Sequence, residues 1–174
     1  GTDTGNTEEV AEKIQQQFTD SGHVVEIIDV TDCSADRISE AEACIFGIPT
    51  WDFGGIQGDW EDFKEELEAA ELSGKKIALY GLGDQFGYGD YFLDAMGMLH
   101  DVIVANGAAI VGHWPTAGYD FDESKALVPG KDLFVGLAID EDQQEELTRE
   151  RLNLWCSQVN EAFGLSLVLN QVED

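Results

Sequence analysis

The sequence predicts an α/β domain built on a parallel sheet, and three observations carry that reading. Strand-like and helix-like patterns alternate along the chain, with no internal repeat and no low-complexity linker. The segment Gly1-Thr2-Asp3-Thr4-Gly5-Asn6-Thr7-Glu8 packs hydroxyl and backbone donors directly ahead of a helical pattern, which is how a helix start holds an anion. Two further segments rich in Gly and aromatic residues follow strand ends, where open α/β sheets bind ligands. At 174 residues and 43% hydrophobic, the chain suits one well-packed domain over residues 1–174.

Residues 6–19 read as a helix, with Val10, Ile14 and Phe18 on one face. Residues 24–30 (Val-Val-Glu-Ile-Ile-Asp-Val) read as a strand, and residues 34–42 leave room for one small helix. Residues 43–48 form a buried strand ended by Pro49, followed by a helix over 59–67 that buries Trp60, Phe63 and Leu67. Residues 76–81 are the next strand, and a helix over 91–106 carries Phe92, Met96, Leu99 and Ile103 inward. Residues 109–112 and 133–138 read as two pieces of the last strand region, separated by a polar and aromatic excursion over 113–132. A final helix over 142–163 turns Leu147, Leu152, Trp155, Val159 and Phe163 toward the sheet. No strand runs into the opening loop within this sequence, although a parallel unit with such a loop needs one at its centre. An incomplete N-terminus is favoured over insertion of the apolar residues 165–169, which read as a frayed tail.

Thirty-six acids against nine bases give a net charge of −27. That balance excludes nucleic acid and anionic membrane surfaces as partners and favours basic proteins, while it also serves solubility. Cys33, Cys44 and Cys156 are widely spaced, lack metal-ligand spacing, and read as reduced structural thiols of a cytoplasmic protein. The lack of a membrane-spanning apolar run and of a signal-peptide pattern points the same way. His23, His100 and His113 have no spacing that suggests a metal or a catalytic pair.

The opening loop contains no Lys or Arg, so it suits a phosphomonoester better than a nucleoside triphosphate; the plainer reading is a helix N-cap. Residues 49–55 (Pro-Thr-Trp-Asp-Phe-Gly-Gly) place an aromatic plate beside flexible glycines. Residues 81–91 add a Gly-rich backbone, a carboxylate and two tyrosines at the next strand end. Together they would anchor a phosphate at one end of a planar heterocycle and sandwich its ring at the other. Trp51 and Tyr88 taken singly read as rim aromatics, and Trp60, Trp114 and Trp155 read as structural.

In their order and spacing, residues 1–8, 47–57, 59–61, 81–88, 93–99, 118–121 and 134–142 resemble a long-chain flavodoxin over nearly the whole chain. The excursion around Tyr119 matches the insertion that separates long-chain from short-chain members. The resemblance implies a flavodoxin-like five-stranded parallel sheet in the order 2-1-3-4-5. It also implies noncovalent FMN and a low-potential one-electron carrier, not an enzyme, that cycles between semiquinone and hydroquinone. By the same resemblance Thr2, Asp3, Thr4, Gly5, Asn6 and Thr7 form the FMN phosphate cradle. Trp51 covers one face of the isoalloxazine ring, Tyr88 stacks on the other, and Thr50 meets the ribityl chain. Asp84 meets the N3 edge, Asp142 approaches the ribityl hydroxyls, and the Asp52–Phe53 peptide faces flavin N5. Pro49, Gly54, Gly83, Tyr91 and Phe92 complete the expected cofactor lining. The implied partners of this expected monomer are a ferredoxin/flavodoxin–NADP⁺ reductase, photosystem I, pyruvate oxidoreductase or a nitrogenase reductase, with no nucleic acid and no membrane insertion. The alternatives on the same fold are an FMN-dependent NAD(P)H:quinone reductase and a flavin-free interaction module; no nicotinamide-binding signature supports the first, and the three ligand loops oppose the second.

Overall fold

A computed structural model describes residues 5–165 of the chain. Helix α1 (Asn6–Asp20) buries Val10, Ile14 and Phe18 at the predicted helical spacing. After it come α2 (Ala35–Glu40), β1 (Cys44–Trp51), β2 (Gly55–Ile56), α3 (Gly58–Asp62), α4 (Lys64–Ala69) and β3 (Lys76–Leu82). The second half holds α5 (Asp94–Ala105), β4 (Ala109–Val111), β5 (Trp114–Pro115), β6 (Leu133–Phe134), β7 (Leu137–Ile139) and α6 (Glu145–Phe163).

The sheet is organised around β3. It runs parallel to β1, in register from Cys44↔Ile77 to Pro49↔Leu82. On its other side β4 pairs with its first residues and β7 with its last, both parallel. Strand β2 turns back antiparallel on the end of β1, pairing Thr50↔Ile56 and Trp51↔Gly55. The side-chain alternation of β3 then divides the core. Ile77 and Leu79 pack with Trp60, Leu67, Leu93, Met96 and Ile103 on one face. Ala78, Tyr80 and Leu82 pack with Val10, Phe18, Leu152, Trp155 and Val159 of α1 and α6 on the other. Covering both faces with helices is what a parallel sheet requires.

The expected order 2-1-3-4-5 is met in part. β1, β3 and the split pair β4/β7 take its last three places, and the two pieces of the last strand are both present. Among the described residues no strand fills the first two. The strand expected over 24–30 does not form: residues 23–29 are irregular, and a 3₁₀ turn at Val30–Asp32 follows, capped by Asp29, whose carboxylate accepts from the Thr31 N–H at 3.0 Å. A strand exists only through its ladder, and no described strand lies beside this segment for Val24–Ile28 to pair with.

Other boundaries also move. β1 passes through Pro49 to Trp51 instead of stopping there; no described strand covers its far edge until β2, so a residue without an N–H is tolerated. The helix expected over 59–67 is two helices, α3 and α4, broken at Phe63. The helix expected from 91 begins at Asp94, after a 3₁₀ turn at Gly89–Tyr91 and a left-handed Leu93 with φ 62°. α6 begins at Glu145. Residues 133–134 leave the main sheet and form an antiparallel pair with β5, Trp114↔Phe134. Among the described residues no helix is long and apolar enough to cross a membrane.

Candidate functional site

The carboxyl ends of β1, β3 and β7 bring three loops to the same edge of the sheet as the amino end of α1. That end is positioned from beneath: the Tyr80 hydroxyl, buried on β3, donates to the Thr7 carbonyl at 2.8 Å. The ring of Tyr80 fills the place a side chain at residue 47 would need, since a Cβ on Gly47 would lie 2.0 Å from it. Gly5 caps α1 in the left-handed region at φ 90°, and among the described residues no side chain caps the helix. Its amino end therefore offers its first-turn N–H groups and the positive end of its dipole to an anion. Thr2, Asp3 and Thr4 of the expected cradle lie outside the described residues.

The second loop leaves β1 at Trp51. Asp52 takes φ 43°, which an Asp tolerates better than most residues, and Gly54 takes φ 86°. Gly54 is required for space as well, because a Cβ there would lie 2.9 Å from Oδ2 of Asp94. The tight turn pushes Phe53 outward to 78% exposure, where its ring meets Tyr91 edge-on at 5.9 Å. Thr50 faces inward, its hydroxyl oxygen accepting from the Ala95 N–H at 3.2 Å. Trp51 is half-buried, and its Nε1 is buried without a hydrogen-bond partner among the described residues. A buried indole N–H normally has one.

The third loop, from Gly83 to Tyr91, is held by carboxylates. Asp84 Oδ1 accepts from the N–H groups of Phe86 at 3.0 Å and Gly87 at 2.8 Å, and from the side-chain amide of Gln143 at 3.1 Å. Partial burial works to raise the Asp84 carboxyl, but these donors outweigh it and hold the group below the ordinary 3.8. Beneath it, fully buried Asp140 accepts from the Gln85 N–H at 3.0 Å and the Gln85 amide at 2.8 Å on one oxygen. Its other oxygen accepts from the N–H groups of Asp142 at 3.1 Å and Gln143 at 2.9 Å. Gln85 Oε1 accepts in turn from the Asp120 N–H at 2.7 Å. One buried carboxylate thus ties the β3 loop to the turn into α6 and, through Gln85, to the excursion over 113–132. Asp142 stands above its ordinary 3.8 because burial, then the charges of Asp84 and Asp140, disfavour its ionised form.

The excursion braces this loop from outside. Tyr119 donates to the Ala138 carbonyl at 2.6 Å and accepts from Trp114 Nε1 at 3.0 Å, with the Arg151 guanidinium 4.1 Å from its ring centroid. Burial pushes its phenol up to about 12, against the lowering effect of Arg151. The N–H groups of Asp122 and Glu123 both donate to the Gly89 carbonyl at 3.0 Å.

The sequence-predicted residues are therefore mostly brought together. Thr50, Trp51, Asp52, Phe53 and Gly54 share one loop, in contact with Tyr91; Gly83, Asp84, Tyr88 and Asp142 form its neighbour, with Tyr88 at the exposed rim. Pro49 lies within β1 beside Leu82. Phe92 takes the inward position expected of it and not the cofactor lining: its side chain points into the core, 1% exposed among Tyr119, Phe121 and Phe134. Asp140, Gln85 and Asp94 were not foreseen. Asp140 carries a readable signal, since an acid directly after an apolar strand and ahead of a helix is a natural acceptor for turn N–H groups. Gln85 and Asp94 carry none. Trp60 and Trp155 are structural as expected, donating to the carbonyls of Gly47 at 3.1 Å and Gly112 at 2.7 Å.

The amino end of α1, an aromatic loop whose indole N–H has no partner among the described residues and a carboxylate-pinned loop, all at the carboxyl edge of a parallel sheet, define an α/β domain for a planar, phosphorylated ligand. The flavodoxin family model matches residues 1–155. The chain is 51% identical to a flavodoxin of Picosynechococcus over 165 residues, 95% of each chain. It is 48% identical to flavodoxin 1 of Escherichia coli K12 over 170 residues, 98% of this chain and 95% of the other. Among solved structures it resembles Fusobacterium nucleatum flavodoxin bound to flavin mononucleotide, with a TM-score of 0.86 and 28% identity over 93% of this chain and 94% of that one. The chain belongs to the flavodoxin family.

Proposed function

We propose that the chain binds FMN noncovalently and carries single electrons at low potential between redox proteins. The observation that carries this reading is the convergence, at one sheet edge, of the amino end of α1 with the loops at Trp51 and Asp84. The residues fit the group. The amino end of α1, with Thr2, Asp3, Thr4, Gly5, Asn6 and Thr7, would hold the phosphate by neutral donors. Trp51 and Tyr88 would flank the ring and exclude water, and Thr50 and Asp142 would orient the ribityl chain. Asp84 would meet the polar ring edge, with Gly83 and Tyr91 completing the wall. The left-handed turn at Asp52 would present its backbone carbonyl to the ring. FMN supplies the one-electron chemistry when bound.

Acids around the ring disfavour added negative charge, which is the electrostatic basis for a low potential. The net charge of −27 then has a second use, as an attractive field for basic patches on a partner. A ferredoxin/flavodoxin–NADP⁺ reductase of the cytoplasm is the partner class this field suits.

Stepwise anaerobic reduction of the FMN-loaded protein, followed by its visible spectrum, tests the reading. Two resolved one-electron steps are expected. A single two-electron step, together with direct oxidation of NADPH without added reductase, would establish a quinone reductase instead, and failure to retain FMN would overturn both.

A further inference from the structure

Arg151 of α6 occupies an electrostatically costly place. It is 8% exposed, and among the described residues no carboxylate pairs with it, although the chain carries thirty-six acids. Its side chain reaches back to the amino end of α6, where the helix dipole disfavours a cation. There Nη2 donates to Oε1 of Gln144, the residue before the helix, at 2.7 Å. The guanidinium carbon lies 4.1 Å from the Tyr119 ring centroid, and Nη1 is buried without a hydrogen-bond partner among the described residues. A methionine of similar length would bury no charge there and would also pack on the aromatic ring. Packing therefore does not call for an arginine at this position.

We propose that Arg151 is a positioning residue for the ligand site, which it serves by fixing the Gln144 amide; this rests on the FMN reading of the Asp84 loop. With Oε1 held by the guanidinium, the amide nitrogen of Gln144 faces the other way and donates to the Gly118 carbonyl of the excursion at 2.9 Å. The Gln144 N–H donates to the Asp140 carbonyl at 3.0 Å. Gln144 thus closes the 140–144 turn with its backbone and ties that turn to the excursion with its side chain. The same turn carries Asp142 and Gln143, and the Gln143 amide donates to Asp84 Oδ1 at 3.1 Å. A planar guanidinium can stack on Tyr119 and reach Gln144 at once, which a compact ammonium cannot. Without that fork the Gln144 amide is free to rotate, the turn loosens from the excursion, and Gln143 is held less firmly on Asp84.

The test compares Arg151→Met, Arg151→Lys and Gln144→Ala in the full chain. It reads urea unfolding without flavin, titration with FMN, and the carboxyl NMR titration of Asp84 in the flavin-free protein. Arg151→Met should leave the unfolding midpoint unchanged or raised, because no charge is then buried. It should still weaken FMN binding about tenfold, as expected from one lost charge-assisted bond. The Asp84 midpoint should move up toward 3.8 as the Gln143 bond weakens, with Asp140 and Asp142 beside it unaltered in sequence. Arg151→Lys should weaken FMN binding as much as Arg151→Met, and adding Gln144→Ala to Arg151→Met should weaken it no further. A lowered unfolding midpoint in Arg151→Met would overturn the proposal and leave Arg151 a prop of the fold. Unchanged FMN binding, an unmoved Asp84, or full FMN retention by Arg151→Lys would overturn it as well. Should the parent chain itself hold no FMN, the electron-carrier reading fails, while the Asp84 titration still decides the role of Arg151.

Discussion

Replacing Asp140 by Asn should destabilise the protein by about 3 kcal/mol although the side chain keeps its shape. Each carboxylate oxygen accepts two hydrogen bonds: the Gln85 N–H and amide on one, the Asp142 and Gln143 N–H groups on the other. An Asn offers one oxygen and one NH₂, so whichever way it turns, two donors face a donor. Bonds to a charged acceptor contribute roughly 1.5–3 kcal/mol each; losing two, less the relief of no longer burying a charge, leaves about 3 kcal/mol. For a chain of this size that lowers the melting temperature by roughly 6–12 °C. Urea unfolding with and without FMN measures it, and a double-mutant cycle with Gln85→Ala isolates the shared bonds. A loss below about 1 kcal/mol would mean that burying the charge cancels its hydrogen bonds, and Asp140 would then not be what holds the loop.

Tyr80→Phe removes the hydroxyl that donates to Thr7 and should cost about 1 kcal/mol, with weaker FMN retention as the amino end of α1 loosens; equilibrium unfolding and a flavin titration read the two effects. In a carboxyl NMR titration Asp142 should take up its proton above 3.8 and Asp84 below it. The signs are opposite. Asp84, depressed in the fold, contributes stability that is present above its unfolded value and is lost as pH falls through its folded one. Asp142, raised in the fold, contributes stability that is present below its unfolded value and is lost as pH rises through its folded one. A common midpoint would remove the electrostatic account of the loop.

Helices and central strands were legible because their signal lies in one segment. Val10, Ile14 and Phe18 sit on the predicted face of α1, and Ile77, Leu79 and Met96 are buried as their spacing requires. Residues 24–30 show where such reading stops: Val-Val-Glu-Ile-Ile has strand composition, but a strand is a property of a pair, and no described strand pairs with it. The break at Phe63 and the left-handed Leu93 were invisible for a related reason, since packing sets them against the propensity of their own residues. The glycines and aromatics of the site were legible because turns and plates require particular residue types. Gln85 was not, because its role comes from contacts with Asp140 and Asp120, distant by 55 and 35 residues.

The acids around the site act as a coupled set, and Asp84→Asn tests that coupling. Asp142 is raised first by burial and then by the charges of Asp84 and Asp140. Such crowding of like charge is unfavourable unless something uses it. A flavin that gains negative charge on reduction would feel the same field. One unit charge about 10 Å away, at an effective dielectric near 20, contributes about 1.7 kcal/mol, or roughly 70 mV for a one-electron couple, less whatever salt screens at an exposed position. Asp84→Asn should therefore do two things together: lower the midpoint of Asp142 toward 3.8 and raise the lower of the two one-electron potentials by some tens of mV, up to about 70 mV. Potentiometry and carboxyl NMR on one sample would read both. A shifted Asp142 with an unchanged potential would place the negative field of the cluster away from the ring. A shifted potential with an unchanged Asp142 would mean that Asp84 acts by its hydrogen bonds to the Phe86–Gly87 turn and not by its charge.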